Sequence, residues 1–163
     1  MIVKITNAAN KVLRYLITAI LLALVVMLFA QIIGRTCFKV GVPWLEELAK
    51  ILFVCSMFLG ICVGVKEASH IKIDVLTNWL ESKGKTATLI INAISWLGEL
   101  VFFGYLGVYG YQYAIVNMNK YTSMLHIRQG LVYLIIPISC VISIIFVISN
   151  IYEKTKAMKG EAK

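Results

Sequence analysis

Acidic residues, prolines and histidines are all scarce in this sequence. Eight Asp+Glu stand against 16 Lys+Arg in 163 residues, with two prolines and two histidines. Glu99 is the one acid well inside an apolar run. A proton or cation relay needs several ionisable groups on several helices, so a complete ion pathway within one copy is not expected. Cys37, Cys55, Cys62 and Cys140 form no C-x-x-C pair, and no histidine lies at ligand spacing to them. That pattern argues against a metal or redox centre. Three of the four fall within apolar runs, where cysteine acts as a small hydrophobe. There is no phosphate-binding glycine loop, hydrolase motif or nucleophile–base pair. The expectation is therefore no catalytic residue, no substrate-binding residue, no metal and no cofactor: the chain reads as a non-enzyme.

Apolar residues are abundant, at 60% of the chain against roughly 45–50% in soluble domains. The excess must face lipid or a partner. The net charge of +8 does not point to nucleic acid, because the basic residues sit at the ends of apolar runs and no basic stretch is interleaved with exposed aromatics.

Four runs are long enough to cross a hydrocarbon core of about 30 Å. The first, 15–33, follows Lys4, Lys11 and Arg14 and reads as an uncleaved first span, too long for a signal core. Pro43 suits the first position of a second helix, Glu46 and Glu47 complement its dipole, and Glu46–Lys50 is an i,i+4 pair. The helix starts at the interface over 43–47, where Trp44 is an anchor, and spans 48–65. Within it Gly60 and Gly64 form G-x-x-x-G, which lets backbones approach closely. Asp74 reads as the cap of a short amphipathic helix over 74–81, with Val75, Leu76, Trp79 and Leu80 on one side; it would lie in the interface. His70 just before it reads as a structural boundary residue.

The third span, 87–116, carries Glu99 with Asn92 and Ser95 on one face. Glu99 is expected to pair within a helix interface. Gly104, Gly107 and Gly110 mark a second close-packing surface. The fourth span, 130–152, should bend at Pro137, with Ser139 and Ser143 available to the freed backbone groups. A charged tail, 153–163, follows. The fold class is all-α integral membrane protein: one domain of four transmembrane helices, with an amphipathic interfacial segment between helices 2 and 3.

With both termini inside, eleven of the 16 Lys and Arg lie on the inner side; Arg35, Lys39, Lys50, Lys120 and Arg128 lie outside. The positive-inside rule then places both termini in the cytoplasm.

Gly41-x-Pro43-Trp44-x-Glu46-Glu47-x-x-Lys50, followed by Gly64-x-Lys66-x-x-x-His70-Ile71-x-Ile73-Asp74, resembles the small membrane subunit, the DctQ or Q-type component, of TRAP (tripartite ATP-independent periplasmic) transporters. Tyr133-x-x-x-Pro137 in the last helix extends the resemblance over nearly the whole chain. The family usually has Arg where Lys50 stands here, and a proline near Arg128 that this chain lacks. The resemblance implies a bacterial inner-membrane protein working with two partners besides membrane lipid. One is a large membrane subunit carrying the sodium and substrate sites. The other is a periplasmic binding protein that delivers an organic anion, a C4-dicarboxylate or a sialic acid. It implies that the small subunit braces the large one and offers part of the docking surface. The residues expected there are Trp44, Glu46, Glu47, Lys50, Gly60, Gly64 and Glu99, with His70, Asp74 and Trp79 as interfacial structural residues.

Three other readings stay open. A small multidrug exporter would need a carboxylate in the first helix, and 15–33 has none. A disulfide-generating quinone enzyme would need paired outer cysteines, and only Cys37 lies near that side. A structural or assembly subunit of another membrane complex is the third.

Overall fold

The computed structural model describes residues 2–39, 41–80 and 85–160, with side-chain surroundings for 5–39, 41–67, 93–153, 155 and 156. Helices account for nearly all of it: α1 (Ile2–Cys37), α2 (Pro43–Leu80), α3 (Lys85–Val116), α4 (Gln129–Tyr133) and α5 (Ile135–Gly160). Four stretches within them are long and apolar enough to cross a membrane: Ile5–Cys37, Pro43–Glu67, Ala93–Val116 and Gln129–Glu153.

The helices outrun the expected spans. At 1.5 Å per residue, the 36 residues of α1 and 38 of α2 reach about 54 and 57 Å, well beyond the hydrocarbon core. α2 begins at Pro43, where the missing N–H costs nothing, and the Leu45 N–H bonds the Val42 carbonyl at 3.0 Å. Neither glycine nor proline occurs between Lys66 and Leu80, so nothing interrupts the helix where a loop and a new start at Asp74 were expected. Asp74 lies inside α2 and caps no separate helix. The surroundings of the His70, Asp74 and Trp79 side chains, and the amphipathic face expected there, fall outside the described residues.

Pro137 acts one turn upstream of itself. It has no N–H for the Tyr133 carbonyl, and its ring crowds that carbonyl. The regular helix accordingly lapses at Leu134, dividing α4 from α5. The Leu134 N–H still reaches the Gly130 carbonyl at 3.1 Å, and that of Ile138 reaches Leu134 at 3.3 Å. Ser139 and Ser143 do not repair the gap: Ser143 turns to Cys62, and the buried Ser139 hydroxyl has no protein partner. α5 then continues through the expected tail to Gly160.

The helices stand in an open row, α1–α2–α5–α3, with α1 and α3 as its edges. The stripe that α5 buries is part polar, part apolar. It mixes Ser139, Ser143, Ser149 and Asn150 with Cys140, Phe146 and Val147, while Ile138, Val141, Ile145 and Ile148 are exposed. Apolar side chains facing outward and small polar ones filling the helix contact are the pattern lipid imposes.

Close approach of α3 to α5 rests on glycine. A Cβ at residue 107 would sit 3.3 Å from the Cys140 Cβ, and one at residue 110 would sit 2.5 Å from the Ile136 Cγ2. Gly130 is tighter still, since a Cβ there would meet the Ala114 carbonyl oxygen at 2.5 Å and the Met118 Cα at 2.7 Å.

Candidate functional site

Two polar clasps hold α2, one near each membrane boundary. At its first turn, the Glu47 carboxylate accepts three backbone N–H bonds from the turn between α3 and α4: Ser123 at 2.8 Å, Met124 at 3.0 Å and Leu125 at 2.7 Å. A carboxylate facing three donors makes charge-assisted bonds, stronger than neutral ones. The turn is itself well ordered. The Thr122 N–H bonds the Ile127 carbonyl at 2.9 Å, the Ile127 N–H bonds the Thr122 hydroxyl at 3.0 Å, and the Gln129 N–H bonds the Lys120 carbonyl at 2.8 Å. His126 adopts the left-handed conformation, φ 51°, that closes it. The polar residue types of 117–129 give no sign of this turn, because the groups that Glu47 holds are backbone N–H groups.

At the far end Lys66 is buried, 3% exposed. Its ammonium donates to Asn150 Oδ1 and Glu153 Oε1, both at 3.0 Å. The Asn150 amide donates onward to the Val65 carbonyl at 3.2 Å. Arg14 of α1 pairs with Glu67 at 3.3 Å, and the hydroxyls of Thr6 and Ser149 meet at 2.9 Å. At this end α1, α2 and α5 are tied pairwise. Lys66, counted above as an inner boundary charge, is a buried ion-pair partner instead; leaving it out makes the charge comparison ten against five, with the same sign. Midway, Cys62 is fully buried between α2 and α5, its thiol donating to the Ser139 carbonyl at 3.2 Å and accepting from Ser143 at 3.5 Å.

The other expected residues separate into two groups. Trp44 is 48% exposed, and Glu46 and Lys50 are exposed beside it. Among the described residues the ion pairs are Arg14–Glu67 and Lys66–Glu153; the expected Glu46–Lys50 pair does not form. An exposed i,i+4 pair is worth only about 0.2–0.5 kcal/mol, too little to fix two long side chains. The cluster therefore divides, with Glu47 turned into the fold and Glu46 and Lys50 turned out of it.

Gly60 and Gly64 have no heavy atom within 4 Å of a Cβ position, so they serve no close contact among the described residues. Gly64 lines an open groove of about 520 Å³ between α2 and α3, with Ser95, Gly98, Glu99 and Phe102 on the opposite wall. Glu99 is engaged in an interaction within the chain. The structure thus brings Gly64 and Glu99 to one groove and sets Trp44, Glu46 and Lys50 at the end where α2 begins.

Residues 24–157 match the family described as Tripartite ATP-independent periplasmic transporters, DctQ component. The chain is 26% identical over 158 residues to the sialic acid TRAP transporter small permease protein SiaQ of Vibrio cholerae, covering 92% of this chain and 90% of that protein. It is also 42% identical over 74 residues to the sialic acid TRAP transporter permease protein SiaT of Haemophilus influenzae. That stretch is 45% of this chain and 12% of the relative's length.

Proposed function

We propose a function from the premise that the chain belongs to the DctQ component family of the tripartite ATP-independent periplasmic transporters and is the small permease subunit of such a transporter. In this reading it braces a large membrane subunit that imports a sialic acid, driven by a sodium gradient. The solute is assigned from the names of SiaQ and SiaT, ahead of the C4-dicarboxylate class.

The observation that carries the bracing role is the bare face of α2. Membrane helices associate through small residues because lipid gives no hydrophobic drive. Gly107 and Gly110 are filled from within the chain, whereas Gly60 and Gly64 are open. A helix of the large subunit fits that face, with Glu99 at its border. The end where α2 begins, taken as periplasmic from the charge asymmetry, presents Trp44 and the turn that Glu47 orders. That end is assigned to docking the periplasmic binding protein.

The test is uptake into vesicles containing this chain, the large subunit and the binding protein. A sodium gradient should drive sialic acid uptake that is lost when this chain is omitted. Full uptake without the chain would dismiss the bracing role. Uptake of a C4-dicarboxylate in place of sialic acid would dismiss the solute.

A further inference from the structure

Where α1 ends and α2 begins, the two helices part to leave an open cleft of about 370 Å³. Leu24 and Leu28 of α1 and Phe53 of α2 form its apolar part; Gln31, Glu46 and Lys50 form its polar part. We infer that this cleft binds a phospholipid whose headgroup carries both a phosphate and a primary ammonium, a phosphatidylethanolamine.

The argument rests on the order of the charges. α2 enters the membrane from Pro43, with Trp44 exposed at the boundary, the depth at which amphipathic rings settle. Glu46 is therefore the shallower charge and Lys50 lies one turn deeper, about 6 Å along the axis. In a phosphatidylethanolamine the phosphate sits beneath the ammonium, next to the glycerol. Lys50 meets the phosphate and Glu46 the ammonium, both as charge-assisted bonds. The Gln31 amide, on the α1 wall opposite, is available for an ester carbonyl or a phosphate oxygen. Below them Leu28, Leu24 and the exposed Phe53 lie against an acyl chain.

Among the described residues neither charge takes part in an ion pair, with the other or with a third group. An anionic lipid would satisfy Lys50 but set its charge against Glu46. A choline headgroup offers Glu46 no N–H. The assignment takes Glu46 and Lys50 out of the protein-docking surface and makes them lipid ligands.

The experiment is native mass spectrometry of the assembled, delipidated transporter, titrated separately with phosphatidylethanolamine, phosphatidylglycerol and phosphatidylcholine. The wild type should retain phosphatidylethanolamine several-fold better than either other lipid. Glu46→Gln should reduce this to the level of phosphatidylcholine. The double variant Glu46→Lys with Lys50→Glu keeps the net charge, reverses the order and should lose one bound phosphatidylethanolamine. Equal retention by the wild type and the reversed variant would overturn the proposal. So would a wild-type preference for phosphatidylglycerol. A preference seen in this chain alone but absent from the assembled transporter would mean that the large subunit covers the cleft, which also overturns it. The wild-type comparison across three lipids stands even if a variant fails to fold.

Discussion

The two sides of α2 differ in kind. The side toward α5 is closed: Cys62 is sealed against Ser139 and Ser143, and Lys66 is buried against Asn150 and Glu153. The side toward α3 is bare at Gly64, which lines an open groove, and Gly60 one turn before it is equally uncrowded. Glycine makes the same division elsewhere, since Gly107 and Gly110 are pressed against α5. The difference shows that a row of membrane helices can be fastened along one seam by polar side chains and small residues while keeping a second small-residue seam vacant. The second seam is the one assigned above to the large subunit.

Breaking the closed side should cost most. Lys66→Met leaves Asn150 and Glu153 without their cation, and removing one partner of a buried pair is worth about 3–5 kcal/mol. The expected result is a large fall in thermal stability in detergent, partly restored by adding Glu153→Gln. An unchanged melting temperature would mean that the seam does not depend on this charge.

Gly130→Ala and Gly110→Ala come next, at about 1–3 kcal/mol each. Gly130→Ala should be the worse, because its Cβ meets the backbone of Ala114 and Met118, which cannot step aside, while that of Gly110→Ala meets the Ile136 side chain. Equal melting temperatures for the two variants would contradict that ranking.

Glu47→Gln is a smaller perturbation. It replaces one accepting oxygen by an NH2 group facing three backbone donors. The amides of Ser123, Met124 and Leu125 should then exchange hydrogen faster, with little change in those of α5. Unchanged exchange at all three would remove the clasp from the account.

The number of spans and the family were legible because they follow from apolar run length and from the Pro43–Lys50 and Gly64–Asp74 motifs. The Glu47 clasp was not, because its partners are backbone N–H groups 76 to 78 residues away. Nor was the burial of Lys66, since a lysine at the end of an apolar run reads as a boundary charge until its partners on another helix are known. The buried stripe of α5 mixes serine and asparagine with Cys140, Phe146 and Val147, so apolar periodicity marked it only weakly. Helix continuity past Lys66 was available from the lack of glycine and proline there, but polarity suggested a loop. The glycine pairs state the limit most clearly: G-x-x-x-G says that a backbone can come close, without saying whose.

The smallest effect on the chain itself and the most informative one belong to the same substitution, Gly64→Leu. A Cβ at residue 64 meets no atom within 4 Å, so the stability of the isolated chain should stay within about 0.5 kcal/mol of wild type, as for surface changes away from special features. The leucine would at the same time hold a neighbouring helix off the bare face. The decisive measurement is copurification of the large subunit with Gly64→Leu, beside the melting curve of the variant alone. The expected result is a normal melt with the large subunit lost or strongly reduced; a lowered melt with copurification intact would contradict the claim that this face of α2 is kept for a partner.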